Sequence, residues 1–233
     1  MTERWDANGN VYLVHEGGPL DAGRVRELAA GTDGILEVLA AGDDWAEIMI
    51  WNPDGSTAEL SGNGTRIAAR WLAERTGAGT VTIRVGPREV VARMLGDDMV
   101  EQDLGEVEVY ERERVAGLEV TPVSVGNPHA VVQGNPDDLP LVGPLLETHP
   151  RFPNRTNVQV ARVDGPGEVT ARVWERGVGE TQASGTSAVA VAAATHGEGE
   201  VVVHFPGGDL TVRLERGRAF LTGPARRADQ PLS

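Results

Sequence analysis

Two short segments of the chain combine a serine, a glycine and a further small polar residue just before an alanine-rich run. AELSGNGTRIAARWLAE runs from Ala58 to Glu74, and TQASGTSAVAVAAATHG runs from Thr181 to Gly197. Each pattern predicts a helix that begins at the serine, Ser61 in the first segment and Ser184 in the second. A helix start carries unpaired N–H groups and about half a positive charge. Both segments therefore predict a site for a small anion such as a carboxylate.

Two helix starts that share one ligand would place their serine side chains on opposite faces of that ligand. One side chain can then remove a proton while the other donates one, which suits inversion of a stereocentre. The helix dipoles would also stabilise an enolate-like intermediate. In a simpler interpretation, Ser61 and Ser184 are ordinary N-caps, the commonest use of serine before a helix. Because the arrangement occurs twice, we favour the ligand site.

An internal repeat contains both serine segments. Trp51 and Trp174 each stand ten residues before their serine, and a strand-like run follows each helix, TVTIRV at 80–85 and EVVVHF at 200–205. A collinear series of matches indicates a duplicated domain. The matching segments are GNVYLVHE at 9–16 with GNPHAVVQ at 126–133, TDGILEVL at 33–40 with TNVQVARV at 156–163, and EIMIWNPDGSTAELSGNG at 47–64 with TARVWERGVGETQASGTS at 170–187.

Apolar periodicity predicts the remaining elements. DAGRVRELAA predicts a helix capped by Asp21, and the helix after Ser61 should stop at Gly77. The helix after Ser184 is apolar nearly all round, which predicts burial within its own half. NPDGS at 52–56 is a turn signal. Strands are predicted at AEIMIW (46–51), REVVARM (88–94), VTPVSVG (120–126), VTARVW (169–174) and DLTVRLE (209–215).

These elements predict an α+β fold of two pseudo-symmetric domains. Residues 1–115 and 116–233 are the expected domains, with a linker near YERERVAG at 110–117 and the last residues packing on the first domain. Each domain should wrap one central helix with mainly antiparallel strands. The ligand site should lie in the cleft between the domains.

Composition excludes several classes of function. The net charge of −14 argues against nucleic acid or an anionic membrane surface as partner, because both require basic patches. The chain has no cysteine, and all 21 of its lysine-plus-arginine residues are arginine. Thiol catalysis, thiolate metal sites, a pyridoxal-phosphate Schiff base and a Walker P-loop are therefore excluded. The five histidines form no metal-binding motif, so we expect neither a metal nor a cofactor.

Hydropathy predicts a soluble cytoplasmic protein. No apolar run approaches the roughly 18 residues that a membrane span needs. The N-terminal segment MTERWDANGN has neither the basic nor the apolar region of a secretory signal.

The chain resembles the diaminopimelate epimerase family over essentially its whole length. The segments that carry the resemblance are ANGNVYLV, TDGILEV, WNPDGSTAELSGNGTR, VSVGNPHAVV, RFPNRTNVQVARV, VWERGVGETQASGTSAVAVAAA, FPGGDLTVR and LTGPA. The resemblance implies a cofactor-independent amino-acid epimerase, an isomerase that interconverts LL- and meso-diaminopimelate in the synthesis of lysine and peptidoglycan precursors. The partner would then be a small amino-acid substrate, and a homodimer is a compatible assembly.

The resemblance also implies roles for individual residues. It places the acid/base pair at Ser61 and Ser184, with His129 and Glu175 at positions that tune the pair. The reacting carboxylate would be held by backbone groups of Gly62, Asn63, Gly185 and Thr186. The distal end of the substrate would meet Asn52, Asn157 and Arg176, with Glu175 near its ammonium group, while Asn10 and Asn127 would line the cleft.

Side-chain chemistry agrees with these roles and leaves alternatives open. Arg176 can form a bidentate fork with a carboxylate, and Glu175 can hold an ammonium group. The same two residues could instead form a surface ion pair of little energetic value. Asn52 and Asn127 could serve only as turn residues, and His129 could be a buried core histidine.

Both catalytic positions depart from the family pattern, which has cysteine at each helix start. A thiol ionises at about pH 8.5 and can be tuned into the working range, whereas a hydroxyl is a far weaker acid. A helix dipole worth at most ~2 kcal/mol shifts a pKa by only about 1.5 units. We therefore expect a site that binds its ligand but abstracts the α-proton poorly.

Three interpretations of the serines remain open. They are a cysteine-to-serine substitution that traps the substrate, a natural homologue in which His129, Glu175 or water transfers the proton, and a diaminopimelate-binding protein without activity. Another isomerase of the same fold acting on a different amino acid, such as the phenazine-biosynthesis type, is a further alternative, although its motifs match poorly. A serine hydrolase is weaker still, because no GxSxG segment occurs.

Overall fold

The chain folds into two compact units. A computed structural model describes residues 2–228. One unit is formed by Met1–Asp103 together with Thr222–Ser233, and the other by Leu104–Leu221. The expected packing of the last residues on the first domain falls partly on 229–233, which lie outside the described residues. Within residues 2–228, no helix is both long enough and apolar enough to cross a membrane.

The first unit consists of strands arranged around one long helix. Its strands are β1 (Thr2–Ala7), β2 (Asn10–His15), β3 (Gly34–Ala41), β4 (Trp45–Trp51), β5 (Thr57–Ala58), β6 (Thr80–Val85), β7 (Arg88–Gly96) and β8 (Met99–Glu106). Its helices are α1 (Ala22–Leu28) and α2 (Gly62–Thr76). As expected, Asp21 caps α1 by accepting the Arg24 N–H, and α2 ends at Gly77 in the left-handed conformation (φ 77°).

The strands of the first unit pair in a mixed order. Antiparallel pairs join β1 to β2, β3 to β4, β6 to β7 and β7 to β8. Parallel pairs join β2 to β3 and β4 to β6. The two parallel pairs occur where a helix intervenes, because a parallel connection requires a crossover. The apolar face of α2, with Ile67, Ala68, Trp71 and Leu72, is buried against these strands.

The second unit repeats this plan. Its strands are β9 (Glu108–Val109), β10 (Glu113–Val115), β11 (Leu118–Ser124), β12 (Pro128–Gln133), β13 (Asn157–Gly165), β14 (Glu168–Glu175), β15 (Gly179–Thr181), β16 (Gly199–Phe205), β17 (Gly208–Glu215) and β18 (Arg218–Pro224). Its helices are α3 (Leu139–Glu147) and α4 (Gly185–Thr195). The short strand β19 (Arg226–Arg227) pairs antiparallel with β1 of the first unit, to which residues 222–233 belong.

The internal repeat is confirmed by strand pairing and register. The series β11, β12, β13, β14, β16, β17 has the same alternation of antiparallel and parallel pairs as β1, β2, β3, β4, β6, β7. Trp51 pairs with Ile35 and Trp174 with Val158, positions that lie 123 residues apart in both strands. The expected α+β fold with a central helix in each half is therefore confirmed, and antiparallel pairs are in the majority.

Helix α4 is buried along most of its length, as its composition predicts. Every residue from Gly185 to Ala193 is buried. Helix α3 was not predicted, because LPLVGPLLE contains proline and glycine within a continuous apolar run. It forms because Leu139, Val142 and Leu146 pack against the strands of the second unit.

Packing at Gly143 gives a test of this unit. A Cβ at Gly143 would lie 2.7 Å from Trp174 Cγ and 2.8 Å from its Cβ. Gly143→Ala should gain about 1 kcal/mol of helix propensity but lose more, ~1–3 kcal/mol, through overpacking. We therefore expect a net fall in the free energy of unfolding, measured with urea. Gly165→Ala is the control, since no described atom lies within 4 Å of the added Cβ. Equal stability of the two variants would contradict this packing.

Candidate active site

Ser61 is a true N-cap whose oxygen is already engaged. Its backbone is extended (φ −136°, ψ 119°), and its Oγ accepts the Gly64 N–H at 3.0 Å. Its carbonyl accepts both the N–H and the hydroxyl of Thr65. The simpler interpretation of Ser61 is therefore correct in geometry. It does not exclude a second role, because a hydroxyl has one donor and two acceptor sites.

Tyr12 is the second neighbour of the Ser61 hydroxyl, a contact that was not predicted from the sequence. Tyr12 Oη lies 3.2 Å from Ser61 Oγ, and either atom can be the donor. The only signal for this residue in the sequence was its alignment in the repeat, where GNVY matches GNPH and Tyr12 corresponds to His129.

Ser184 starts α4 with the same extended backbone but a different hydrogen-bonding state. Its φ is −144° and its ψ 127°, yet its side chain makes no capping bond. The residue is 6% exposed. Within residues 2–228, no side chain accepts the N–H groups of Gly185 and Thr186. The start of α4 is therefore open to an incoming acceptor, whereas that of α2 is partly closed by its own cap.

His129 is a buried neutral imidazole held from both sides. Its Nε2 lies 2.9 Å from Asn127 Oδ1, and its Nδ1 lies 3.0 Å from Gln159 Nε2. Because the Gln159 amide donates to Nδ1, the ring proton belongs on Nε2, from which it is donated to Asn127. Burial lowers the pKa of His129 to about 3, helped by the nearby Arg176 cation. The imidazole is therefore uncharged at neutral pH.

The polar chain around His129 extends to the start of α4. Asn127 Nδ2 donates to Thr186 Oγ1 at 3.4 Å, and Gln159 Nε2 donates to Ser187 Oγ at 2.9 Å. Asn127 is therefore more than a turn residue. It links the loop before β12 to the first turn of α4.

Arg176 does not form the surface ion pair that was considered for it. No carboxylate of the described residues lies in ion-pair range of its guanidinium, whose Nη1 donates only to the Asn154 carbonyl at 3.4 Å. Glu175 instead accepts the Thr181 hydroxyl at 2.5 Å. Asn157 joins this group, since its Oδ1 accepts the Arg176 N–H at 2.9 Å and its Nδ2 donates to the Pro128 carbonyl at 3.0 Å. The second unit thus presents a cation without a carboxylate partner.

A buried glutamate holds the turn that carries Arg176. Glu147, at the end of α3, accepts Trp174 Nε1 at 2.9 Å and the Gly177 N–H at 2.6 Å, and it pairs with Arg155. In the first unit, Glu37 is the corresponding residue, and its carboxylate accepts a hydrogen bond from Trp51 Nε1 at 2.7 Å. Neither glutamate was predicted from the sequence, although the repeated tryptophans are their hydrogen-bond partners.

Buried polar groups of the first unit collect beside the start of α2. Arg66 is fully buried, and its Nη2 donates to Asn8 Oδ1 at 2.9 Å and to Asn63 Oδ1 at 3.0 Å. Burial lowers the pKa of Arg66 to about 9, so that the guanidinium remains charged at neutral pH. Asn10 is also buried and donates to the Asn8 carbonyl at 3.4 Å. The Oδ1 of Asn63 thus binds Arg66.

Asn52 forms the expected turn after β4. Its N–H donates to the Ser56 carbonyl at 2.8 Å, and its Nδ2 donates to Ser56 Oγ at 2.9 Å. The turn interpretation is therefore confirmed, and the Asn52 carboxamide oxygen is the group left for a ligand.

Comparison with known proteins shows the family of this chain. Residues 121–228 match the family model described as diaminopimelate epimerase. The chain is 37% identical to a Synechococcus sp. diaminopimelate epimerase over 86% of its own length and 82% of the relative's. It is 38% identical to a Desulforudis audaxviator diaminopimelate epimerase, with 86% and 83% covered.

The chain belongs to the diaminopimelate epimerase family.

Solved structures show the same fold in more distant proteins. A Bacillus anthracis phenazine biosynthesis protein of the PhzF family matches with a TM-score of 0.75 at 14% identity, covering 98% of this chain and 96% of the other. A hydroxyproline epimerase from Agrobacterium vitis matches with a TM-score of 0.73 at 17% identity, covering 97% and 90%. At these identities the likeness concerns the fold alone, whereas the curated relatives place the chain among amino-acid epimerases.

The serine-hydrolase alternative finds no support in this member of the epimerase family. Within residues 2–228, no histidine nitrogen is hydrogen-bonded to Ser61 or Ser184. Among the described residues, the only phenol hydrogen-bonded to either serine hydroxyl is that of Tyr12, which contacts Ser61.

The different states of the two serines predict different effects on stability. Ser61→Ala removes a capping hydrogen bond and should lower the free energy of unfolding by about 1 kcal/mol. Ser184→Ala removes no such bond and should cost only a small fraction of that amount. Urea unfolding of the two variants measures the difference, with each serving as the control for the other. An equal loss of stability in both variants would contradict the assignment of a capping hydrogen bond to Ser61 alone.

The buried His129 predicts acid sensitivity. In the unfolded chain a histidine binds a proton at about pH 6.5, whereas the folded chain accepts that proton only near pH 3. Acidification through this interval therefore favours unfolding, by ~3 kcal/mol at pH 4. His129→Gln should lose correspondingly less stability than the wild type between pH 7 and pH 4 in denaturant titrations. His204→Gln is the control, because that imidazole lies at the surface beside Asp209 rather than in the core. Identical curves for wild type and His129→Gln would contradict the assignment.

Proposed function

We propose that the protein is a cofactor-independent epimerase that inverts one Cα of diaminopimelate, interconverting the LL and meso isomers for the synthesis of lysine and peptidoglycan precursors. The observation that carries the proposal is the serine helix start present in both units, in a chain that matches diaminopimelate epimerases over 86% of its length.

The reacting carboxylate is held by the helix starts in this proposal. The N–H groups of Gly62 and Asn63 in the first unit, and of Gly185 and Thr186 in the second, are the donors. Partial positive charge at a helix start stabilises a carboxylate, and more strongly an ene-diolate with further negative charge. Long side chains are absent from these positions, so a ligand can approach the backbone.

The distal end of the substrate is a second amino-acid group with its own carboxylate and ammonium. Arg176 is suited to that carboxylate, because a guanidinium binds a carboxylate through two parallel hydrogen bonds and no described side chain already neutralises it. Glu175 carries the negative charge that complements the ammonium group. Three carboxamides, those of Asn52, Asn127 and Asn157, supply neutral donors and acceptors, and Asn10 is a further polar group.

Proton transfer at Cα is assigned to Ser61 and Ser184, one for each direction of attack. A hydroxyl is a poor base at neutral pH, so this step is expected to limit turnover. His129 is neutral with both ring nitrogens engaged, which makes it a positioning residue rather than a proton acceptor. The second candidate function, binding of diaminopimelate without turnover, is favoured by the same serines.

Deuterium uptake separates the two functions. We expect the protein to exchange the α-proton of LL- or meso-diaminopimelate for deuterium in D₂O faster than buffer does, and to produce the other isomer slowly. Ser61→Cys combined with Ser184→Cys should raise the rate by at least ~10²-fold, because thiolates titrate near working pH. Wild-type exchange at the buffer rate would leave binding as the function, and failure of the double cysteine variant to gain activity would reject the acid/base assignment.

Calorimetry with diaminopimelate tests the distal site independently of turnover. Arg176→Ala should weaken binding by about 10- to 100-fold, the value of a charge-assisted bidentate pair. Arg162→Ala is the matched control, because that guanidinium already pairs with Asp164 at 2.8 Å. Equal affinity in the two variants would remove Arg176 from the site.

A further inference from the structure

The position of Tyr12 is fixed by backbone pairing. Tyr12 lies on β2, opposite Trp5 of β1 and beside Gly34 of β3. A Cβ at Gly34 would lie 2.8 Å from Tyr12 Cε1, so the absence of a side chain there makes room for the ring. The hydroxyl is thereby directed to the start of α2, where it meets Ser61 Oγ at 3.2 Å.

The hydrogen bonds of the Ser61 hydroxyl leave it able to pass a proton to or from Tyr12. One Ser61 lone pair accepts the Gly64 N–H. If the Ser61 proton is donated to Tyr12, the second lone pair remains for a substrate proton. If Tyr12 donates its proton to Ser61 instead, the same two oxygens transfer a proton in the opposite direction. Both directions are needed by an epimerase, since each proton removed must later be returned.

The acidities of the two groups differ greatly. An aliphatic hydroxyl is not appreciably ionised in water, whereas a tyrosine phenol has an ordinary pKa of about 10 and serves elsewhere as a general acid or base. Of the two oxygens, the phenol oxygen is therefore the one that can hold negative charge between transfers. A weak base becomes effective when an adjacent group takes its proton.

We propose that Tyr12 is the group that stores the proton on the Ser61 side, acting through the Ser61 hydroxyl. This proposal rests on the proposed epimerase function. In the forward step the substrate Cα–H bond breaks, its proton goes to Ser61 Oγ, the Ser61 proton goes to the Tyr12 phenolate, and the bonding electron pair remains on the substrate as the ene-diolate. The reverse step returns a proton from the neutral phenol through Ser61 to Cα.

The second unit has no equivalent relay. His129 occupies the matching position in the repeat, and its two ring nitrogens are bonded to Asn127 and Gln159. Among residues 2–228, no phenol or imidazole is hydrogen-bonded to Ser184. The relay is therefore a property of one unit, although the helix starts are duplicated.

Charged groups near Tyr12 are relevant because they influence its ionisation. Asp33 accepts the N–H of Val11, the residue before Tyr12. Titratable residues on the elements that pack against Tyr12 are His15 on β2, Glu3, Arg4 and Asp6 on β1, Glu37 on β3, and Arg66, Arg70, Glu74 and Arg75 on α2.

Tyr12→Phe is the direct test, with Tyr110→Phe as its control. These are the only two tyrosines in the chain, and Tyr110 is exposed and bonded to Glu108. α-Deuterium exchange with diaminopimelate should fall on the order of 10²-fold in Tyr12→Phe and stay unchanged in Tyr110→Phe. In the wild type, the exchange rate should rise with pH and level off where tyrosinate absorbance shows that Tyr12 ionises. That pH dependence should disappear in Tyr12→Phe.

A cysteine background separates a relay from a structural role. A thiol at position 61 can ionise by itself, so Ser61→Cys and Ser61→Cys/Tyr12→Phe should exchange at similar rates. A large loss from Tyr12→Phe in that background would mean that Tyr12 serves only packing, and would overturn the proposal. Unchanged exchange in Tyr12→Phe alone would overturn the relay while leaving the epimerase function intact, whereas no wild-type exchange would overturn both.

Tyrosinate absorbance provides a readout that does not depend on turnover. In the Tyr110→Phe background, Tyr12 is the sole tyrosine. If the Ser61 hydroxyl donates to the Tyr12 phenolate, Ser61→Ala should move this titration to higher pH. An unchanged titration curve would contradict the hydrogen bond that the relay requires.

Discussion

Burial of the first turns of α2 and α4 is the constraint on which the other features of this protein depend. Gly62–Thr65 and Gly185–Ser187 are all buried. The N–H groups of a helix start have no partner within the helix, and here bulk water cannot supply one. Each group must be met by a cap, by a neighbouring side chain or by a bound acceptor. Glycine, serine and threonine at these positions allow any of the three.

The two units meet this constraint in different ways. In the first, Ser61 caps its own helix and a buried guanidinium, Arg66, binds the asparagines beside it. In the second, Ser184 leaves its helix uncapped, and the nearby polar groups form a neutral network through His129 and Gln159. Duplication thus preserved strand register and helix position, while the polar surroundings diverged. Such divergence gives the two serines different hydrogen-bonding surroundings.

Serine at both helix starts separates two properties that a thiol would combine. Attraction of a carboxylate comes from backbone N–H groups and the helix dipole, which do not depend on the cap residue. Proton abstraction depends on acidity, and a hydroxyl lacks it at neutral pH unless a neighbour takes its proton. The phenol of Tyr12 is the one described group that adjoins either hydroxyl and has the required chemistry. Binding and catalysis can therefore be studied separately in this chain.

Support for the distal residues also comes from outside the motifs. Arg176 lies on a turn whose backbone is held by Glu147 from α3 and by Asn157 from β13. A charged side chain is useful for recognition only when its position is defined, and here two elements hold the backbone that carries it. Glu147 belongs to an apolar helix that contains two prolines, so its own sequence segment gives no indication of this role.

Local sequence was sufficient for most of the elements and for the positions of the two helix starts. Periodicity, caps and turn residues identified α1, α2, α4 and most long strands, and the repeat indicated two similar halves because each half must satisfy the same packing rules. The SGNG and SGTS segments located the helix starts, since capping is a local interaction between a side chain and the next turn.

Tertiary structure alone decided which distant side chains meet those helix starts. The contact between Tyr12 and Ser61 joins residues 49 positions apart, and Gln159 reaches His129 and Ser187 across 30 and 28 positions. Such contacts depend on strand register and on space left by a residue such as Gly34, neither of which a single segment encodes. The sequence therefore determined where the two helix starts lie, and only the fold determined that the Ser61 hydroxyl lies beside a phenol while the Ser184 hydroxyl makes no capping bond.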